Sequence, residues 1–520
     1  MTAREPRGGS TDRRGASIAA GRPFAFVSFV SLVLLLHGCA SNREIVEDSF
    51  FIAEASAAPE VTGVVDIGGG DVPLSGEVGM EPSDGVAVIG ETLWIHGRGF
   101  GRQPTVLVGG RAALVLGRTH DGGIVARVPA GTPVGSQPVA VLNEMGKGEL
   151  PITIRRYAAT LAPGSGQVGW SEVGPTGATA AGATPVAGGR WLALSSDGRA
   201  AYVAEAQGGL IDVIEMPAPG APKLIYRLNV GAGQVLALAV AARAPVLAVV
   251  RKNDVVLVDT TSPLHPARSE PRALPQEIRD GHIASADISP DGKLLAIATE
   301  QGNQLVLLDL GPAGHAPIVG AFAVAPEIRE SILCDVAFSP AGDTLWILSG
   351  DTPRSLPIGP QPTELRAVRI GNDPQLLAHL EAARVVGVDG AGLPARLGVG
   401  RALPLASGGA IRLPPERNAV YFAAANRPPG GTAVFSLGAE DAAAVVVGSP
   451  ARLGRPDVSP DGRWLFAPAV ATDGAVRVLT AAIDGRPVAA GSAQSVDVIQ
   501  AGPGEMPPAA RPAPELRVQP

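Results

Sequence analysis

From about residue 190 onward the chain repeats one pattern: a Pro- or Gly-marked turn, a short apolar run, a polar break and a second apolar run. Ser289-Pro290-Asp291-Gly292 leads into the runs 294–298 and 305–309. Ser459-Pro460-Asp461-Gly462 leads into 464–467, and Ser339-Pro340-Ala341-Gly342 stands between them. With Ser196-Asp197-Gly198, Ala242-Arg243-Ala244-Pro245 and Pro415-Glu416-Arg417-Asn418 there are six such units, with a wider gap over 351–408. Proline presets φ at the second position of a type I turn and glycine suits the fourth, so each unit reads as a turn between strands. The runs, such as 210–214, 255–259 and 433–437, hardly alternate. Strands covered on both faces have that composition. A period of roughly 40–50 residues predicts stacked four-stranded blades. The expected fold is all-β, with a six- or seven-bladed β-propeller over 190–500. Either 158–189, otherwise a linker, or 485–500 supplies the strand that closes the ring. The surplus at 351–408 is an insertion or one degenerate blade, and the Pro-rich 501–520 is a disordered tail.

Residues 77–157 follow a different rhythm. Short strand-like runs at 92–96, 105–108, 124–128, 137–143 and 150–154 are separated by Gly- and Pro-rich turns. This spacing predicts a small antiparallel sandwich. Gly97-Arg98-Gly99-Phe100, the run 105–110 ending in Gly109-Gly110, and Val128-Pro129-Ala130-Gly131-Thr132 resemble, in order, the motifs of the IPT/TIG domain. That resemblance implies an immunoglobulin-like fold with Phe100 closing one end of its core. The family serves in adhesion, as a spacer, and beside catalytic domains in sugar enzymes. The later units resemble YVTN/WD40-like propeller repeats of bacterial surface and periplasmic proteins. The stretch from Ser289 to Leu310 matches best, and TolB-type repeats share its turn.

The first forty residues read as an address. Arg4, Arg7, Arg13, Arg14 and Arg22 precede the apolar stretch 24–36, which is too short to span a bilayer and suits a signal peptide over 1–38. Leu36-His37-Gly38-Cys39 resembles the bacterial lipobox, with His37 departing from the usual small residue. The resemblance implies that Cys39 is lipidated and anchors the chain in the membrane. Ala40 after it implies outer-membrane sorting, on the periplasmic or the surface side. Residues 39–76 then form a Gly-rich tether.

Charge and chemistry narrow the picture further. The net charge is −7 and no long basic run follows the N-terminus, so nucleic acid is excluded as a partner. Of the two cysteines, Cys334 lies in an apolar run and reads as a buried hydrophobe. Gly164-Ser165-Gly166-Gln167-Val168-Gly169 spells a dinucleotide fingerprint, but the glycines and prolines after it forbid the helix that would hold pyrophosphate. No cofactor is expected. None of the seven histidines stands at zinc-ligand spacing, and His282 reads as a loop residue beside Asp287. The turn aspartates lack the EF-hand series and are expected to bond local backbone amides. Arg412, Arg417 and Arg427 decorate a rim.

With no catalytic motif legible, the sequence points to a non-enzymatic, lipid-anchored envelope platform. Its propeller would bind an envelope protein, peptide or polysaccharide, with the IPT/TIG module as spacer or docking unit. Two alternatives stand beside this. One is a lactonase-like hydrolase in which Asp287, Asp335 and Asp457, two or four residues before their turns, converge on the axis, where they are also the candidate metal ligands. In that case the competing structural role for each is a bond to the backbone of a neighbouring blade. The other alternative is a structural subunit of an envelope complex.

Overall fold

The computed structural model describes residues 57–67, most of 85–351, and the strands between 361 and 518. Apart from one helical turn, Gln276–Asp280, the elements are strands. The chain is all-β: an Ig-like sandwich followed by a propeller. The signal segment, Cys39, Gly164, His282, Arg417 and Arg427 lie outside the described residues.

One sheet of the sandwich holds Glu60–Asp66, Thr92–Arg98, Ile124–Arg127 and Leu114–Arg118. The other holds Val86–Val88, Thr105–Val108, Arg111–Ala112, Gly135–Asn143 and the first half of Gly146–Leu161. Inward side chains alternate along each strand, so Leu93, Ile95, Val106, Ile124, Val139 and Ile154 meet in one core. Phe100 joins them at 3 % exposure, as the sequence implied. Gly97 shows why this turn needs glycine. A Cβ there would lie 2.0 Å from the Glu60 carbonyl oxygen and 2.6 Å from the Phe100 ring. Glu60–Asp66 was expected within the tether; it pairs with Thr92–Arg98 from Asp66↔Leu93 to Glu60↔Arg98. A short valine-rich strand among glycines reads as linker until its partner is known.

The expected boundary at 157 falls inside a strand. Gly146–Leu161 pairs through residues 146–154 with Gly135–Asn143 in the sandwich, and through 156–161 with Gln167–Gly174. Its far end also pairs with Glu515–Val518, from Glu515↔Leu161 to Val518↔Ala158. Blade one is thus Glu515–Val518, Arg156 to Leu161, Gln167–Gly174 and Gly177–Pro185. This corrects three expectations together. Residues 158–185 belong to blade one and so take part in closing the ring instead of forming a linker, the tail contributes a strand, and 485–500 is not the closing segment. The tail was misread because Leu516 and Val518 are too few to signal a strand without knowledge of the edge they fill.

Among the described residues the propeller has seven blades. Blade two is Gly189–Leu194, Ala200–Glu205, Leu210–Glu215 and Lys223–Asn229. Blade three begins at Val235–Val240, blade four at Ile283–Ile288 and blade five at Ser331–Phe338. Blade six centres on Val420–Ala425 and Thr432–Leu437, blade seven on Trp464–Val470 and Val476–Ala482. The surplus at 351–408 supplies Gln361–Arg369, Arg384–Val388 and Pro394–Arg396, the outer strands of blade five, so it is no extra blade. Innermost strands touch from blade seven through blade one and on to blade six, and blade six meets blade seven through Thr432–Leu437 and Arg452–Leu453. Blade seven meets blade one where Phe466 and Val478 pack on Ala158, Val173 and Ala178. Between blades three and four, Ala248, Val250, Leu295, Ile297 and Val306 form one core with Leu274 and Ile278 of the helical turn. Both faces of these strands are covered, which explains their unbroken apolar runs.

The Ser-Asp turns take the expected form. Ser195 Oγ donates to Asp197 Oδ1 at 2.7 Å and accepts the amides of Arg199 and Ala200 at 3.0 and 2.9 Å. Ser289 and Asp291 repeat the arrangement, with the hydroxyl at 2.6 Å and the amide of Leu294 at 2.9 Å. The sandwich seats on the first of these turns. Gly90, at φ +81°, faces it so closely that a Cβ would sit 2.9 Å from Arg199 Cγ and 3.0 Å from the Asp197 carbonyl oxygen. The Ig-like module therefore occupies the end of the ring that carries the Ser-Asp turns.

Removing residues 514–520 deprives blade one of its innermost strand and reopens the ring. A melting temperature lower by about 5–10 °C is expected, consistent with a loss of a few kcal/mol in a domain of this size, together with a larger radius by small-angle scattering. A truncated chain that melts and scatters like the full one would contradict this closure.

Candidate functional site

At the opposite end of the ring the chain enters each innermost strand and crosses from second strand to third. Here blade two brings two carboxylates together. Glu205 closes the strand Ala200–Glu205 and pairs with Gly189, the first residue of the innermost strand. Asp212 lies in Leu210–Glu215 and is 1 % exposed. A carboxylate so buried is costly unless compensated. Arg227, from the outer strand, supplies Nε at 2.8 Å from Asp212 Oδ1, and the Ala187 amide donates to Oδ2 at 3.3 Å. Arg227 remains half-exposed at 49 %. Burial raises the pKa of Glu205, the negative charge of Asp212 raises it further, and Arg227 acts against both. Two acids in unlike surroundings are the arrangement from which acid–base roles arise.

The neighbouring crossing is rigid. Arg251 is nearly buried and makes a two-pronged contact with Asp254, Nε to Oδ1 at 2.6 Å and Nη2 to Oδ2 at 2.8 Å. Its Nη1 also donates to the Val230 and Ala232 carbonyls at 2.9 and 3.1 Å. This holds the connection from blade two to blade three beside the Glu205–Asp212 pair, because the Val230 amide bonds the Gly209 carbonyl at 2.9 Å.

Of the acids singled out from the sequence, Asp287 takes the structural role set against the catalytic one, a bond to the backbone of a neighbouring blade. Asp287 Oδ2 accepts the backbone amide of Phe338 at 2.7 Å, tying blade four to the innermost strand of blade five. Asp457 is buried at 8 % at the start of its strand in blade seven. Asp335 lies in Ser331–Phe338, and its side chain is outside the described residues, as is that of Arg412. Among the described residues no group of three or more His, Cys, Asp or Glu side chains gathers to hold a metal. Cys334 stands at a register shift in the same strand. Gly166 opens a hairpin strand, Gln167–Gly174, in place of the helix a dinucleotide needs.

Glu205, Asp212 and Arg227 were missed. The available signal was Asp212 itself, a charge inside the apolar run Leu210-Ile211-Asp212-Val213-Ile214. Acids are seldom fully buried unless paired, so its partner was worth seeking in the next strand.

With the geometry in hand, the chain can be set beside known proteins. The family model described as IPT/TIG domain matches residues 78–154. The sandwich is an IPT/TIG domain. Comparison with curated proteins finds no match. Among solved structures, the periplasmic gluconolactonase of Pseudomonas aeruginosa is similar at 15 % identity and TM-score 0.48, covering 70 % of this chain and 99 % of its own. A candidate 6-phosphogluconolactonase from Bacteroides uniformis is similar at 17 % identity and TM-score 0.46, over 70 % and 99 % of the two chains. The Cps50 (Swd1) β-propeller domain of Myceliophteria thermophila is similar at 14 % identity and TM-score 0.41, over 62 % and 95 %. Likeness at this level concerns the fold. The expectation of a non-enzymatic chain does not stand: structures named as lactonases share this fold, so the fold gives no ground for excluding an enzyme. That expectation rested on the lack of a contiguous motif, and a propeller gathers its site from separated loops, so motif absence excludes nothing.

Two outcomes follow from this geometry. Asp287→Ala leaves the Phe338 amide without its acceptor and is expected to cost about 1–3 kcal/mol in chemical denaturation, with Asp287→Asn milder. Equal stability of Asp287→Ala and the parent would remove the blade-tying role. For Glu205, a pKa raised in the folded state means that the fold binds more protons than the unfolded chain between the ordinary glutamate value and the raised one. Stability therefore falls as pH rises through that window. Glu205→Gln should flatten this slope and stabilise the protein at neutral pH, read from thermal melts across pH 4–8, the range set by ordinary glutamate ionisation.

Proposed function

We propose that the propeller is a hydrolase of small sugar-type lactones, working at the end of the ring that carries Glu205. The observation that carries this reading is the pair of unlike carboxylates, Asp212 buried against Arg227 and Glu205 with a raised pKa beside it. It takes the place of the axial acids named in the lactonase-like alternative, since Asp287 is engaged by the Phe338 amide. Lactone is also the substrate class in the names of the gluconolactonases above.

The chemistry asked of these residues is modest. Glu205 takes a proton from water as the water oxygen bonds to the lactone carbonyl carbon. The bond from that carbon to the ring oxygen then breaks. The leaving oxygen receives the proton back from Glu205, giving a hydroxy acid with no net change in the protein. Asp212 keeps Glu205 basic, and the exposed part of the Arg227 guanidinium offers donors to the oxygen on which charge develops.

The lipid anchor at Cys39 and an outer-membrane location belong to the same proposal. A tethered N-terminus followed by an IPT/TIG module seated on the Ser-Asp end would leave the Glu205 end free. This gives the module the spacer role, and a polysaccharide or protein partner would meet the ring at the same free end.

Hydrolysis of a panel of aldonolactones, followed by pH-stat with the purified chain lacking residues 1–39, tests the activity. A rate above the buffer reaction is expected, with Glu205→Gln lowering kcat by about a hundredfold or more. Wild-type protein without activity on any member of the panel, or Glu205→Gln at full rate, would refute this reading.

A further inference from the structure

The innermost strands of blades two to five each carry one extra residue at the same place. Their registers shift between Gly189 and Trp191, Val235 and Ala237, Ile283 and Ser285, and Leu333 and Asp335. The extra residues are Arg190, Leu236, Ala284 and Cys334. Bulges of this kind re-aim side chains and are enriched beside active sites. All four stand near the beginning of their strands, at the end of the ring where Glu205 lies. Glu205 itself pairs with Gly189, the residue before Arg190.

Of these four residues Arg190 carries the charge. Its side chain is exposed, and its guanidinium carbon stands 5.3 Å from the centroid of the Trp191 ring. Trp191 is itself fixed, its Nε1 donating at 3.0 Å to the carbonyl of Val235 at the start of the next innermost strand. Among the described residues Arg190 has no ion pair, whereas Arg227 is committed to Asp212 and Arg251 to Asp254. A guanidinium resting on an indole is ordered before any ligand arrives, and its planar set of donors matches a carboxylate.

We propose that Arg190 is the anion-recognition residue of this end of the ring, receiving a small carboxylate through two parallel N–H donors. The ligand class rests on the hydrolase reading, because lactone opening releases a hydroxy acid whose carboxylate is formed beside Glu205. Arg190 offsets the repulsion between that new charge and the Glu205–Asp212 pair, and so retains the product and sets its inhibition of the reaction.

Titration calorimetry with sodium gluconate, with glucose as the uncharged control, tests this. Wild type is expected to bind gluconate and not glucose. Arg190→Gln should weaken binding by about tenfold or more, and Arg190→Lys by less, since an ammonium keeps the charge but loses the fork. Arg190 is exposed, so the melting temperatures of the variants should match wild type and exclude misfolding. Gluconate binding unchanged in Arg190→Gln, or wild type that binds gluconate no better than glucose, would overturn the assignment. The lactone assay separates the two proposals. Arg190-dependent gluconate binding without hydrolysis sinks the hydrolase and leaves the recognition site. Hydrolysis whose gluconate inhibition is the same in Arg190→Gln sinks the recognition site and leaves the hydrolase.

Discussion

The structure depends on the pairing of Glu515–Val518 with the far half of Gly146–Leu161. A ring of sheets has two ends of chain to reconcile, and until they are bonded its first and last blades present open edges. Here a strand from the C-terminus completes a blade begun more than three hundred residues earlier. The hydrogen bonds of that short ladder are individually worth about 1 kcal/mol. Their larger effect is to hold blades seven and one together, so that Phe466 and Val478 stay buried on Ala158, Val173 and Ala178. Because Gly146–Leu161 also belongs to the sandwich, closing the ring fixes the Ig-like module through the same strand.

That shared strand gives the molecule two unlike ends. One meets the sandwich through Gly90 and the turn at Asp197, and its aspartates are spent on local amides. The other carries Glu205, Asp212, Arg227 and the bulged Arg190, in which charge is buried, raised in pKa or, among the described residues, left without an ion pair. Stability and chemistry are thus divided between the two ends. Where a polar side chain bonds the backbone of its own turn or the next blade, it is used up in folding. Functional potential lies where carboxylates and guanidiniums remain partly exposed.

Much of this was legible along the chain. The Ser-Pro-Asp-Gly repeats and unbroken apolar runs determined a propeller, because turn stereochemistry and double-sided burial act on neighbouring residues. Gly97 and Phe100 likewise marked the sandwich, since a backbone approach that excludes a Cβ leaves a glycine behind. The tertiary structure alone decided how the ring closes, that Glu60–Asp66 joins the sandwich, and that blade one exists, since each requires a partner strand far away in sequence. It also decided which acids matter. Asp287 and Asp212 are both single charges in apolar strands, and their roles differ only through what lies opposite: the Phe338 amide for one, Arg227 and Glu205 for the other. Local sequence sets which residues can fold into a blade, but the environment of a buried charge is made by chain that the sequence places elsewhere.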